Sequence, residues 1–202
     1  EGIWLWDSSG KRYLDCYNNV AHVGHCHPRV VAAIAAQAAI LNTHTRYLHD
    51  GVLDYIDRLT ATLGHGISQA IMVCTGSEAN DIALRMAQAV TGKTGIIATD
   101  ATYHGNTMAV SQLSTRRQPI GGRWPNVRLV PAPDGLRPVG GSTAGQAEAF
   151  AANVAAAAQG LEEAGFGFSC LMVCPVFANE GLPLLPESFL LPTAAAVWAA
   201  GG

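Results

Sequence analysis

The sequence predicts an α/β fold, a three-layer sandwich on a mainly parallel sheet that is incomplete within these residues, preceded by a small α+β region. Three observations lead there. Short apolar runs such as Ala70–Cys74, Ile96–Thr99 and Cys170–Cys174 lack polar alternation, as strands buried on both faces do. Helix-length segments separate them, the order that places helices on the faces of a parallel sheet. The texture also changes from residue 70, and residues 1–65 are expected to form a small N-terminal segment with linker helices and 66–202 a partial large domain.

Element by element, Ile3–Trp6 and Lys11–Asp15 flank Asp7-Ser8-Ser9-Gly10 and predict a hairpin. After Pro28, the residues Val30, Val31, Ile34, Ala35, Ala38 and Leu41 recur at helical spacing, with the proline near the first turn where it is tolerated. A second helix covers Val52–Leu63. The strand Ala70–Cys74 leads through Thr75-Gly76-Ser77 into a helix from Glu78 to Val90, stopped at Gly92. Strands Ile96–Thr99 and Val127–Val130 follow, then an Ala-rich helix from Ser142 to Glu163, the strand Cys170–Cys174 and a helix from Ser188 to Ala200. Gly121–Gly145 is rich in glycine and proline and predicts a surface excursion. With four buried-type strands and a Gly201-Gly202 ending, the sheet is expected to continue beyond these residues.

Composition narrows the function classes. The chain has 202 residues, 49% of them hydrophobic, and a net charge of −3, which gives no reason to expect nucleic-acid or membrane binding. Only 13% of residues are charged, where about a quarter is usual, so part of the surface is expected to meet another subunit or the remainder of the fold. Five scattered cysteines with no CxxC pair predict a reduced, cytoplasmic protein.

Open parallel sheets hold ligands beyond the carboxyl ends of their strands. Two loops there carry chemistry. In Thr75-Gly76-Ser77-Glu78-Ala79-Asn80, Gly76 permits close backbone approach, Ser77 offers a hydroxyl, and the following helix presents free amides at its positive end. This is a recipe for holding phosphate, although an ordinary helix cap uses the same residues. In Asp100-Ala101-Thr102-Tyr103-His104-Gly105-Asn106, an aromatic ring beside histidine and glycine suits stacking on a planar ligand, and a packed tyrosine with a solvated histidine is the competing reading.

Together with Gly10-Lys11-Arg12-Tyr13-Leu14-Asp15 and Gly24-His25-Cys26-His27-Pro28, these loops resemble the class III (omega-type) aminotransferases of the fold-type I pyridoxal-phosphate enzymes. The resemblance covers nearly the whole chain. It implies pyridoxal 5'-phosphate as cofactor and transfer of an amino group from a small amine or amino acid to a keto acid or aldehyde, within a homodimer. Gly76 and Ser77 match the phosphate-binding residues. Tyr103 matches the aromatic that stacks on the pyridine ring, with His104 and Gly105 in the same loop. Asp15–Ala21, including Asn18 and Asn19, matches a segment lining the substrate entrance.

Two features depart from the family. Cys174-Pro175 stands where a Glu-Pro is usual, and no catalytic residue is assigned, because neither Lys11 nor Lys93 matches the Schiff-base lysine. The isolated chain is therefore expected to be inactive. The wording of Asp15–His25 and Asn42–Asp50 is similar to the branch containing phospho-lyases that act on phosphoethanolamine and phosphohydroxylysine. In that branch Arg46 is a candidate for the substrate's anionic group, or equally a surface arginine in an ion pair. The cluster His22, His25, Cys26 and His27 is of a type that binds zinc, but its spacing matches no standard finger and fits the family's Gly-His-x-His-Pro turn, so no metal is expected.

Overall fold

A computed structural model of the chain describes residues 2–17, 21–44, 46–64 and 66–202. Asn18 and Asn19 lie outside the described residues. Two compact units form, Glu1–Ala70 and Ile71–Gly202.

In the first unit, strands β1 (Trp4–Trp6) and β2 (Arg12–Leu14) pair antiparallel with Leu5 opposite Tyr13. Asp7 organises the turn between them. Its Oδ1 accepts the Ser9 and Lys11 amides at 2.9 and 3.0 Å, and its Oδ2 accepts the Tyr13 hydroxyl at 2.9 Å. Hydrogen bonds from Ser9 and Tyr13 stabilise the carboxylate and pull its pKa down to about 2. The Arg12 guanidinium lies 4.2 Å from the Trp4 ring centre. Helix α1 (Pro28–Ala38) starts on its proline, and α2 (Asp50–Thr60) is capped by His49, whose Nδ1 accepts the Gly51 amide at 3.1 Å. Neither helix buries a residue. His25 Nε2 lies 3.0 Å from Asp15 Oδ2. No group of three or more metal-ligating side chains gathers among the described residues.

The second unit is a parallel three-stranded sheet in the order β4 (Val127–Val130), β3 (Gly95–Thr99), β5 (Phe168–Met172). Every residue of β3 is buried, because alternate side chains point into two cores. Ile97 joins Val130, Phe150, Val154, Leu161 and Phe168 on the face covered by α5 (Gln146–Glu163) and α6 (Leu191–Ala199). Ile96 and Ala98 join Leu84, Val110 and Leu113 on the face covered by α3 (Gly76–Thr91) and the short α4 (Met108–Ser111). Three layers result.

The predicted strand Ala70–Cys74 does not form; this segment has no regular structure, and Ile71 and Met72 are exposed. An apolar run becomes a strand only when a neighbour accepts its ladder, and none of the described strands lies beside it. The strand expected at Cys170–Cys174 sits two residues earlier, where Phe168 and Ser169 are buried and the register to β3 shifts at Gly95/Ile96. Helix α5 starts at Gln146 instead of Ser142. Gly140 and Gly141 adopt positive φ just before it, and the buried Gln146 side chain accepts the Asp134 and Val139 amides at 2.8 and 3.1 Å.

Candidate active site

The site is assembled where α3 begins and β3 ends, both at the carboxyl edge of the sheet. Thr75 caps α3, its hydroxyl accepting the Glu78 amide at 3.1 Å, while the Glu78 carboxylate accepts the Cys74 amide at 2.8 Å. This pair of contacts, close to a capping box but with the Glu78 carboxylate on the residue before the cap, fixes the start of the helix. The Ala79 amide is taken by the Thr75 carbonyl at 3.0 Å. The amides of Gly76 and Ser77 have no acceptor among the described residues. A Cβ at Gly76 would meet nothing within 4 Å, so open space lies beside that residue.

The loop after β3 closes onto this turn. Ser77 Oγ accepts the Asn106 amide at 3.0 Å, and Asn80 Nδ2 donates to the His104 carbonyl at 2.7 Å. Gly105 is buried at φ +140°, and a Cβ there would lie 2.5 Å from Ser77 Oγ. Only glycine allows the two segments to approach so closely. Asn106 Nδ2 donates to the Tyr103 hydroxyl at 2.9 Å, which sets the ring's orientation. Gly76, Ser77, Tyr103 and Gly105 are thus brought together.

His104 faces inward. Its Nε2 lies 3.3 Å from the Thr102 hydroxyl, itself buried. Burial pushes the imidazole below its ordinary pKa; the Glu180 charge and a hydrogen bond to the Met172 backbone oppose this without overcoming it. Beneath the loop, the buried Thr99 hydroxyl donates to Glu180 Oε1 at 2.6 Å. Glu180 Oε2 is buried with no partner among the described residues. Cys174 Sγ accepts the Ala178 amide at 3.5 Å. Arg46 lies in the first unit, exposed, its amide donating to His44 Nδ1 at 3.1 Å.

Asn80 and Asn106 stand within the two loops read from the sequence, without any local sign that they join those loops, and Thr99 and Glu180 have no site assignment from the sequence. Each acts through a contact 24 to 81 residues distant, and no local pattern announces it. Lys93 precedes β3 and so stands at the opposite, amino edge of the sheet, its Nζ 2.6 Å from Glu162.

These residues fit a phosphate ester carrying a planar ring: two unpartnered amides beside open space, a hydroxyl, and an oriented tyrosine at the rim. Tyr103, Gly105, Asn106, Arg116, Arg117 and Gln118 are among the residues lining a cleft of about 490 Å³.

Comparison with known proteins gives this geometry a family. Residues 1–196 match the Aminotransferase class-III family. The alanine–glyoxylate aminotransferase 2-like protein of Drosophila melanogaster is 44% identical over 137 residues, 66% of this chain and 28% of that one. A phospholyase from Arthrobacter, solved in complex with phosphoethanolamine, superposes with TM-score 0.89 at 39% identity, covering 100% of this chain and 48% of that one. The taurine:2-oxoglutarate aminotransferase of Bifidobacterium kashiwanohense, solved with PLP and glutamate, superposes with TM-score 0.86 at 23% identity, covering 100% and 47%. The chain therefore spans under a third of that curated relative and about half of either solved structure. Its three layers are the corresponding part of the PLP fold-type I architecture. With the match running through nearly all of its residues, the chain belongs to the class III aminotransferase family.

Proposed function

We propose that this chain supplies the phosphate-cradling part of a pyridoxal-phosphate enzyme that transfers an amino group from a small amine or amino acid to a keto acid or aldehyde. The observation that carries the proposal is the joining of the two loops at Ser77, whose Oγ accepts the Asn106 amide at 3.0 Å. That contact sets an oriented tyrosine beside two open helix amides. When bound, pyridoxal phosphate withdraws electrons from the carbon bearing the amine, so that its proton can leave. In this reading the Gly76 and Ser77 amides and the Ser77 hydroxyl hold the phosphate, and the positive end of α3 favours its charge. Tyr103 covers one face of the ring and excludes water from it. Asn106 and Asn80 hold the loop, and His104, whose charged form burial disfavours, packs beneath it.

A second reading is elimination of phosphate from a phosphorylated amine, and a specific observation favours it. The phospholyase solved with phosphoethanolamine is 39% identical to this chain, against 23% for the taurine aminotransferase, which supports the fold alone. In elimination, the carbon bearing the amine loses a proton and the neighbouring C–O bond breaks. With water the products are phosphate, ammonia and an aldehyde.

A homodimer fits the apolar side chains that α1 and α2 leave uncovered, including Val30, Val31 and Ile34. A cytoplasmic location fits the five free cysteines. Among the described residues no helix is long and apolar enough to cross a membrane.

The test is a titration of the full-length protein with pyridoxal phosphate, followed by incubation with phosphoethanolamine and, separately, with alanine plus glyoxylate. Amino-group transfer supports the first reading and phosphate release the second. A protein whose visible absorbance never changes on adding the cofactor refutes both.

A further inference from the structure

The cleft beside Tyr103 has a charge that the cofactor cradle does not use. Arg116 and Arg117 both line it, with Gln118, Asn106, Ser111 and Ser114 among its polar groups, and no acidic side chain is in its wall. Neither arginine makes an ion pair or a side-chain hydrogen bond among the described residues. Both are exposed on a loop that is nonetheless anchored at its two ends. At the first end, the Thr115 amide and the Ser114 hydroxyl donate to the Thr102 carbonyl at 3.2 and 3.3 Å, just ahead of Tyr103. At the second, the Arg123 guanidinium donates to the Gln112 and Ser114 carbonyls, and the Trp124 amide donates to Gln112 Oε1 at 2.9 Å. Pro119 at the centre is buried and its carbonyl accepts the Gly122 amide at 3.0 Å.

Adjacent like charges facing one cleft repel each other until an anion enters, and the guanidinium fork matches phosphate oxygens in pairs. Arg123 shows the contrast within the same segment, since its guanidinium is consumed by backbone carbonyls and serves as a brace. The cleft's volume is of the size that holds a small ligand.

We propose that Arg116 and Arg117 bind the phosphate group of a phosphorylated amine substrate, as a second anion site beyond the cofactor cradle. The proposal rests on the phospho-lyase reading above. It assigns the substrate's anionic group to the loop following α4, and the two arginines are binding residues with no part in proton transfer.

The experiment uses full-length protein already loaded with pyridoxal phosphate, so that the cradle is filled and inorganic phosphate reports the second site. Calorimetric titration with phosphate should show binding that weakens about tenfold or more in Arg116→Gln/Arg117→Gln, the loss expected when charge-assisted hydrogen bonds are removed. The Arg116→Lys/Arg117→Lys variant, which keeps charge and loses the fork, should fall between. Cofactor affinity, measured separately by absorbance, should be unchanged in both variants. Equal phosphate binding by the Gln variant and wild type overturns the proposal. A Gln variant that loses cofactor affinity also overturns it, by assigning the arginines to the cofactor's own phosphate. A wild-type protein that takes up no cofactor sinks the functional reading itself, and the substrate assignment with it.

Discussion

Two glycines at the site make opposite predictions for the same substitution. At Gly76 an added Cβ meets no atom within 4 Å, and the residue sits at the first position of α3. Gly76→Ala should therefore leave the fold unharmed, or raise its stability by about 0.4–1 kcal/mol through the unfolded chain. If the open space holds the cofactor phosphate, the new methyl group intrudes on the ligand. A steric cost of about 1–3 kcal/mol then lowers cofactor affinity by about fivefold or more. At Gly105 the Cβ would lie 2.5 Å from Ser77 Oγ and 2.8 Å from Ser77 Cα, on a backbone at φ +140°. Backbone strain of about 1–3 kcal/mol adds to the overlap, so Gly105→Ala should cost about 2–5 kcal/mol of folding stability. Urea unfolding gives the first quantity, and absorbance titration of the full-length protein with pyridoxal phosphate gives the second. A Gly76→Ala protein that binds the cofactor as tightly as wild type refutes the cradle. A Gly105→Ala protein as stable as wild type refutes the close approach.

Two further perturbations test the packing around the site. Burial lowers the His104 pKa in the folded state, so the unfolded chain binds more protons below its ordinary value. This contribution is present above about pH 6.5 and is lost as pH falls through that value toward the folded pKa; the urea midpoint should decline from about pH 7.5 to 5.5, and less steeply in His104→Gln. An unchanged slope in that variant would place His104 in water. The Cys170 thiol is pushed up to about 11 by burial, while Cys74 is exposed. Iodoacetamide at about pH 8 should label Cys74 under native conditions faster than the half-buried Cys170, because the thiolate is the nucleophile; equal rates by peptide mapping would contradict the placement of Cys170 in β5.

Much of this was legible along the chain where a local rule and its tertiary context agree. Gly92 ends α3 in the left-handed conformation expected of a terminating glycine, at φ +69°. The Ile96–Thr99 run is the central strand, buried on both faces as its uninterrupted apolar wording requires. The loop after Thr99 follows a strand as expected, and the turn after Cys74 meets it through Ser77 although no strand leads into that turn. What failed depends on partners distant in sequence. Ala70–Cys74 has the composition of a strand, but its ladder must come from elsewhere. Helix α4 spans four residues, too few to carry a period, and is held by Val110 in the core. Arg116 and Arg117 have no assignment from the sequence, because nothing adjacent to them says that they line one cleft with Tyr103 and Asn106.

The same contrast separates recognition from chemistry at this site. Holding a phosphate requires amides, a hydroxyl and space, and those come from a single turn, Thr75–Ser77, whose geometry is set by its own capping contacts. Orienting a ring requires two segments to meet, and here they meet because Gly105 lets Asn106 reach Ser77. Moving a proton requires a base over the reacting carbon. Of the two lysines, Lys93 is held at the far edge of the sheet by Glu162, and Lys11 lies 5.2 Å from the Tyr13 ring centre in the first unit. The described residues therefore build the site in the order of increasing sequence separation. In the proposed reading, its anion-binding elements are the most local.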